Sequence, residues 1–191
     1  MIICGVDEAG RGPLAGSVYA AAVILNPDKP INGLKDSKLL NHKKREFLFN
    51  EIINNALCYS ISFCDVGEID KLNILNASLL AMKKAVDCLE IAPSLILVDG
   101  NKLPKFNIPS QAIIKGDSLI PEISAASILA KVTRDRYMIE LSKNYPHYGF
   151  EKHKGYGTIQ HLMAIKKFGI IDEHRKSYAP IKNILLELKV Q

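Results

Sequence analysis

The sequence has no stretch approaching the roughly 18 consecutive apolar residues that a membrane span requires, which argues against a membrane-embedded chain. Its start, Met1-Ile2-Ile3-Cys4-Gly5-Val6-Asp7, carries no basic segment and meets an acid at Asp7, so no secretory signal is expected. The four cysteines (Cys4, Cys58, Cys64 and Cys88) form no Cys-x-x-Cys pair. That spacing favours free thiols in a core over a disulfide scaffold or a zinc site. Internal repeats, low-complexity tracts and linkers are lacking as well. Together these absences point to a reducing, intracellular compartment, with the cytoplasm as the expected location. What is present is the balance of a globular protein: 191 residues, 48% hydrophobic and 24% charged. That much apolar surface offsets the entropy of ordering and excludes disorder for most of the chain. The length suits a single domain, residues 1–191.

Charge is unevenly spread. Residues 1–130 carry 13 basic and 14 acidic side chains, whereas residues 131–191 carry 12 basic and six acidic ones, with four of the five histidines. The whole excess of +5 therefore comes from the last third. A solvated helical face explains such a bias, and so does a polyanion partner.

Apolar patterning places the elements. Ile2–Val6 and Val18–Leu25 read as strands joined hairpin-fashion by a loop with Gly10, Gly12, Pro13 and Gly16. His42–Ile53 has helical spacing, and Cys58–Val66 reads as a third strand. Glu68–Leu89 reads as one long helix, with Ile69, Leu72, Leu75, Leu79, Met82 and Val86 at three- and four-residue steps. Leu95–Val98 and Ala112–Ile114 are short strands. Pro121–Leu141 is helical and rich in small residues, Tyr145–Gly157 is a loop, and Thr158 caps a helix that runs to Phe168. A last helix covers Ile181–Val190. Strands early and helices late predict an α/β fold with a C-terminal helical lobe from about residue 143.

Three of these strand-like runs end in acids: Asp7-Glu8, Asp99 and Asp117. Strand ends are where loops leave a rigid scaffold and functional groups gather. A single acid there is commonly a turn former or helix cap, but three separate ends weaken that reading. Four converging carboxylates repel one another unless a hard divalent ion lies between them. Two such ions about 4 Å apart suit phosphodiester hydrolysis. The adjoining Gly10-Arg11-Gly12 adds a tight turn and a guanidinium for phosphate or sugar. His147 and His153 loosely suggest a zinc pair, but no cysteine stands near them and a loop role is preferred. Asp135 is expected to pair with a basic neighbour.

Five landmarks, in order, make the chain resemble the type 2 ribonucleases H, the bacterial ribonuclease HII family. They are Gly5–Gly12 (GVDEAGRG), Asp36–Lys38 (DSK), Val98–Gly100 (VDG), Lys115–Asp117 (KGD) with Ile123–Asp135 (ISAASILAKVTRD), and Gly155–Thr158 (GYGT) followed by His174-Arg175. The resemblance implies a ribonuclease H-like fold, with a central mixed sheet flanked by helices and a helical C-terminal part that binds substrate. It implies an endonuclease that cleaves the RNA strand of RNA–DNA hybrids. The same enzyme would nick duplex DNA 5′ of a single embedded ribonucleotide and leave 3′-hydroxyl and 5′-phosphate ends. The biological roles implied are ribonucleotide removal from DNA and removal of RNA primers.

Carried over residue by residue, Asp7, Glu8, Asp99 and Asp117 are the implied catalytic acids and the ligands of two Mg²⁺ or Mn²⁺ ions. Gly10, Arg11, Gly12 and Tyr156 are the implied readers of the 2′-hydroxyl, the group that separates RNA from DNA. Lys38 and Ser124 are implied phosphate contacts. Lys131, Arg134, Arg136, Lys166 and Lys167 are candidates for sequence-independent attraction to the backbone.

No large N-terminal extension like that of ribonuclease HIII is expected, and the Gly-Arg-Gly signature fits HII better. The end, Leu185–Gln191, has no aromatic residue, so a sliding-clamp-binding tail of paired aromatics is not expected. A monomer is expected. Two rivals remain: another two-metal nuclease on the same scaffold, which would lack the GYGT reader, and a non-catalytic nucleic-acid-binding module, which would lack at least one acid.

Overall fold

The structure, a computed structural model, describes residues 1–34 and 37–190; Asp36 of the DSK landmark and the final Gln191 lie outside the described residues. Five strands form its sheet: β1 (Ile3–Ala9), β2 (Val18–Ile24), β3 (Cys58–Cys64), β4 (Leu95–Asp99) and β5 (Ser110–Ile113). Their order is β3-β2-β1-β4-β5. β1 pairs antiparallel with β2, and β2 antiparallel with β3. β1 pairs parallel with β4, and β4 parallel with β5. The sheet is therefore mixed, with β1 in its centre.

Helices cover both faces, and the period-2 alternation of the central strands decides what meets which. Cys4 and Val6 of β1, with Ala20, Ala22 and Ile24 of β2, join one apolar core. That core is closed by α2 (Val66–Leu72) and α3 (Ile74–Asp87), through Ile69, Ala77, Ala81 and Ala85. Ala21 and Val23 point the other way, onto α1 (His42–Asn55) and α5 (Pro121–Asn144), where Leu48, Ile52, Ala126 and Leu129 form a second core. Between β5 and α5 lies the single turn α4 (Gly116–Leu119). The last third adds α6 (Phe150–His153), α7 (Ile159–Phe168) and α8 (Ala179–Val190). A third core, with Leu14, Met138, Leu141, Phe150, Ile165 and Ile181, joins this helical lobe to the far end of α5. One helix thus serves the sheet with its first half and the lobe with its second.

The expected long helix over Glu68–Leu89 is two helices. Asn73 takes a positive φ of 66° and breaks the run, and its side chain accepts the amide of Asn76 at 3.1 Å to start α3. Asp65 and Glu68 form a reciprocal cap at the start of α2. The apolar stripe continues across the break, so its spacing conceals it. A one-turn helix, α6, also sits inside the expected loop Tyr145–Gly157. All four cysteines are free; Cys4 and Cys64 are buried in the first core, as expected, while Cys58 is half-buried and Cys88 exposed. Burial pushes the Cys4 thiol up to about 12 and that of Cys64 up to about 11, which makes both unreactive.

α5 begins with Pro121 in its first turn and lies directly on β1. A β-carbon on Gly5 would stand 2.1 Å from the carbonyl carbon of Glu122 and 2.3 Å from the amide nitrogen of Ile123. Both obstacles are backbone, which cannot turn aside. Gly5→Ala is expected to lower unfolding free energy by about 3 kcal/mol or more in a denaturant titration. An alanine variant as stable as the parent would mean that helix and strand do not meet this closely.

Candidate active site

Asp7 and Glu8 are successive residues inside β1, not at its end, so the pleat sends them to opposite faces. Asp7 faces α5 and is buried. Asp99 is the last residue of β4, the parallel neighbour of β1. Asp117 sits in the first turn of α4, four residues beyond the end of β5. Its amide donates to Asp99 Oδ1 at 3.3 Å. One carboxylate oxygen each of Asp7, Asp99 and Asp117 lies within 4.8 Å of the others, a spacing that suits a shared cation.

The structure therefore gathers three of the four expected acids into one group. Glu8 stands beside it on the other face of the strand, where its Oε1 is 3.5 Å from the Arg11 guanidinium. Burial, and then the charges of Glu8 and Asp99, hold the Asp7 carboxyl well above the usual carboxylate range. A hydrogen bond from Ser127 of α5 opposes this, and the Ser127 hydroxyl in turn lies 2.9 Å from that of Ser37. Burial also raises Glu8; the Arg11 charge counters it and the Asp99 charge adds to it. Such mutual repulsion is what a divalent cation relieves.

Glu8 and Arg11 form a ridge between two clefts. One cleft is lined by Gly10, Arg11, Gly12, Lys38, Lys131 and Tyr156, among others. The other runs between Asp99, Asn101, Lys102 and the α3 residues Leu75 and Ser78. The first cleft brings together the expected Gly10-Arg11-Gly12 turn, Lys38 and Tyr156. Gly12 matters for a steric reason: a β-carbon there would come within 3.3 Å of Tyr156 Cε1. The tyrosine ring leans on that glycine and remains 45% exposed. Lys38 Nζ lies 4.0 Å from Asp117 Oδ2, so it borders both the cleft and the acids.

Two expected contacts are placed otherwise. Ser124 is buried; its hydroxyl donates to the Asp117 carbonyl at 2.5 Å and its amide to the Ile120 carbonyl at 2.9 Å. It fixes the backbone of an acid and does not face the cleft with either donor. Arg134 is also buried, at 1% exposure, and donates to the carbonyls of Ala15, Ser17 and Lys154 at 3.1–3.2 Å. Its guanidinium ties the Gly10–Ser17 segment to the lobe from the wall of the first cleft. Arg136 pairs with Glu46 and covers the Phe49 ring. Lys131 pairs with Asp135 at 2.8 Å, the pairing expected of that aspartate. Lys166 and Lys167 are exposed on α7.

The loose zinc pair dissolves into ordinary contacts. His147 stacks on Phe168, and both ring nitrogens of His153 bond backbone, at Tyr148 and Gly155. Ser127 is the site residue that sequence reasoning missed. Ser127 lies in the same ISAAS run as Ser124, and two serines three residues apart share a helix face closely enough that spacing does not tell which meets the acid.

A mixed five-stranded sheet with clustered carboxylates on its central strands, a small helical lobe and a basic cleft between them is the architecture of type 2 ribonucleases H. Ribonuclease H2 from Pyrococcus horikoshii OT3 matches with a TM-score of 0.83 at 28% identity, covering 100% of both chains. The fold also recurs in the ribonuclease HII of the PCNA:RNase HII complex from Archaeoglobus fulgidus, with a TM-score of 0.71 at 22% identity over 93% of this chain and 95% of that one. The ribonuclease HII of Burkholderia pseudomallei (strain K96243) is 59% identical over 181 residues, 95% of this chain and 85% of that protein. The family model for ribonuclease HII matches residues 4–180. The chain belongs to the ribonuclease HII family.

The raised Asp7 gives a stability prediction with a definite sign. Its folded value lies above the ordinary carboxylate value of 3.8, so the folded chain keeps a proton that the unfolded chain releases. Metal-free stability then falls as pH rises above about 4. Asp7→Asn removes that loss and is expected to raise the melting temperature of the metal-free protein at pH 7 by about 3 °C, equivalent to ~1 kcal/mol. Thermal melts with chelator present test this, and a lowered melting temperature would mean that the three acids do not strain one another.

Proposed function

We propose that this protein is a ribonuclease H that hydrolyses the RNA strand of RNA–DNA hybrids. It would also nick duplex DNA on the 5′ side of a single embedded ribonucleotide, leaving 3′-hydroxyl and 5′-phosphate ends. The observation that carries this reading is the junction of Asp7, Asp99 and Asp117 with a cleft in which an exposed tyrosine rests on Gly12. Family membership supports the reaction class.

The donor set of carboxylate oxygens fits a hard divalent ion, Mg²⁺ or Mn²⁺. Asp7, Asp99 and Asp117 would hold it, with Glu8 placed to share a second one. Bound ions supply the positive charge that lowers the cost of a water attacking phosphorus and of the departing 3′-oxygen. The protein's own part is positioning. Arg11, Lys38 and Lys131 attract the phosphate backbone into the cleft beside the acids. The backbone of the Gly10–Gly12 turn, exposed at Arg11 and Gly12, meets a 2′-hydroxyl, which is both donor and acceptor. Tyr156 stacks under the sugar of the next deoxynucleotide, where a second 2′-hydroxyl would crowd it. The roles that follow are ribonucleotide removal from DNA and primer removal, by a single catalytic domain acting as a monomer in the cytoplasm. No helix of the described residues is long and apolar enough to cross a membrane.

Three duplexes in Mg²⁺ separate this reading from its rivals: all-DNA, DNA with one ribonucleotide, and an RNA–DNA hybrid. Cleavage of the last two, with a nick 5′ of the ribonucleotide, is expected. Asp99→Asn should lower kcat by about 10³-fold or more while duplex affinity in Ca²⁺ stays within a few-fold. Cleavage of all three duplexes alike would favour a general two-metal nuclease, and binding without cleavage a non-catalytic module.

Tyr156→Ala tests the reader separately. It should lower kcat/KM for the single-ribonucleotide duplex by about tenfold relative to the hybrid. An unchanged ratio would remove Tyr156 from junction reading while leaving the hydrolytic chemistry intact.

A further inference from the structure

Beneath the cleft, in the third core, lie two histidines that neither the hydrolysis nor the charge pattern accounts for. His161 on α7 and His174 beyond it are both fully buried. Their rings stack with centroids 5.2 Å apart, and their Nε2 atoms are 3.0 Å apart. The proton positions follow from the partners. The Ile171 amide donates to His174 Nδ1 at 3.0 Å, so His174 carries its proton on Nε2. His161 Nδ1 is 2.9 Å from the Tyr156 carbonyl, which only accepts, so His161 carries its proton on Nδ1. One arrangement of two neutral rings then satisfies every bond. It runs from the Ile171 amide to His174, from His174 Nε2–H to His161 Nε2, and from His161 Nδ1–H to the Tyr156 carbonyl. Burial, reinforced by each ring's histidine neighbour, pushes both imidazoles down to about 4, so both are neutral at pH 7.

The residue next to His174 holds the other half of the cleft. The Arg175 guanidinium donates to the carbonyls of Gly10 at 2.6 Å, Arg11 at 2.9 Å and Gly16 at 2.8 Å. Its amide donates to the Leu14 carbonyl at 2.8 Å, and the Leu14 amide donates to Gly155 at 2.8 Å. Two adjacent residues thus reach the Gly10–Gly12 turn on one side and Tyr156 on the other. Neither lines the cleft.

We propose that the His174–His161 pair is a positioning relay that sets where Tyr156 stands against the Gly10–Gly12 turn, and thereby sets the discrimination between an embedded ribonucleotide and a continuous hybrid. It rests on Tyr156 as reader. The Tyr156 carbonyl also accepts the Thr158 amide at 2.8 Å, so losing the relay loosens the residue and does not release it. A general packing role predicts equal loss on every substrate; a positioning role predicts unequal loss.

The experiment measures kcat and KM for the single-ribonucleotide duplex and for the hybrid, in the full-length protein. His161→Phe fills the space and removes both ring bonds. It should lower the kcat/KM ratio of the two substrates about tenfold, through the single-ribonucleotide kcat. His161→Asn keeps a donor near the Nδ1 position and should hold the ratio within about threefold of the parent. An unchanged ratio in His161→Phe overturns the relay. If the ratio falls in Tyr156→Ala alone, the reader stands and only the relay fails; if it falls in neither, the reader has failed too. Should His161→Phe not fold, the unmodified protein decides: ¹⁵N spectra of its histidine rings at pH 7 should show His161 protonated on Nδ1 and His174 on Nε2. The opposite tautomers, or a charged ring, would overturn the proposal.

Discussion

The constraint on which the structure depends is the desolvation of Asp7. A carboxylate on the central strand, facing a helix that approaches to backbone contact, is costly to ionise. Its neighbours Glu8 and Asp99 make that cost larger. Hydrogen bonds from the Glu8 amide at 2.7 Å and from Ser127 oppose it. The apolar cores on both faces of the sheet must therefore hold the group in place against its own repulsion. This is why Gly5, two residues before Asp7, has no room for a methyl group: the close seat of α5 on β1 delivers Ser127 to the acid and Ser124 to the backbone of Asp117. The same repulsion is what a cation among the acids would relieve, recovering energy already spent in the fold.

Alternation along β1 explains how one strand serves two purposes. Asp7 turns toward α5 and joins Asp99 and Asp117. Glu8 turns toward α3 and forms the ridge with Arg11 between the two clefts. Adjacent acids in a sequence look like one doubled ligand; in a pleated strand they are two residues with different neighbours and different counter-charges.

Much of this was legible in the sequence, and the gaps have physical causes. The five strands carry their own apolar runs, the long α5 is marked by its small residues, and the acids are marked by the runs before them. The break at Asn73 was hidden because the stripe from Ile69 to Leu79 stays in phase across it, and only the backbone angle reveals it. The burial of Ser124 and Arg134 was not legible because polarity in a sequence says nothing of burial. A serine two turns from an acid and an arginine in a basic segment look like surface donors until the carbonyls they satisfy are located. The histidine pair was illegible for a related reason. His161 and His174 stand 13 residues apart on different segments, and their tautomers are set by backbone groups that no spacing encodes.

The division between chemistry and reading follows the division of the cores. The acids belong to the sheet, whose cores are made of aliphatic and alanine side chains that fix positions tightly. Tyr156 belongs to the lobe, whose largely aliphatic core packs beside aromatic and histidine rings with hydrogen-bonded edges. Two buried arginines cross the boundary, and each spends its guanidinium on backbone carbonyls of the Gly10–Ser17 segment that joins β1 to β2. Both are desolvated enough that burial lowers their basicity, to about 10 for Arg134. A buried cation with no carboxylate partner among the described residues is an expensive way to fill space. Its advantage is directional: a planar fork fixes several carbonyls at once, where an apolar side chain would fix none. In the proposed function, hydrolysis requires only that the acids keep their spacing. Telling one ribonucleotide from a run of them would require that a turn on the sheet and a tyrosine on the lobe keep theirs, and Arg134 and Arg175 tie those two segments together.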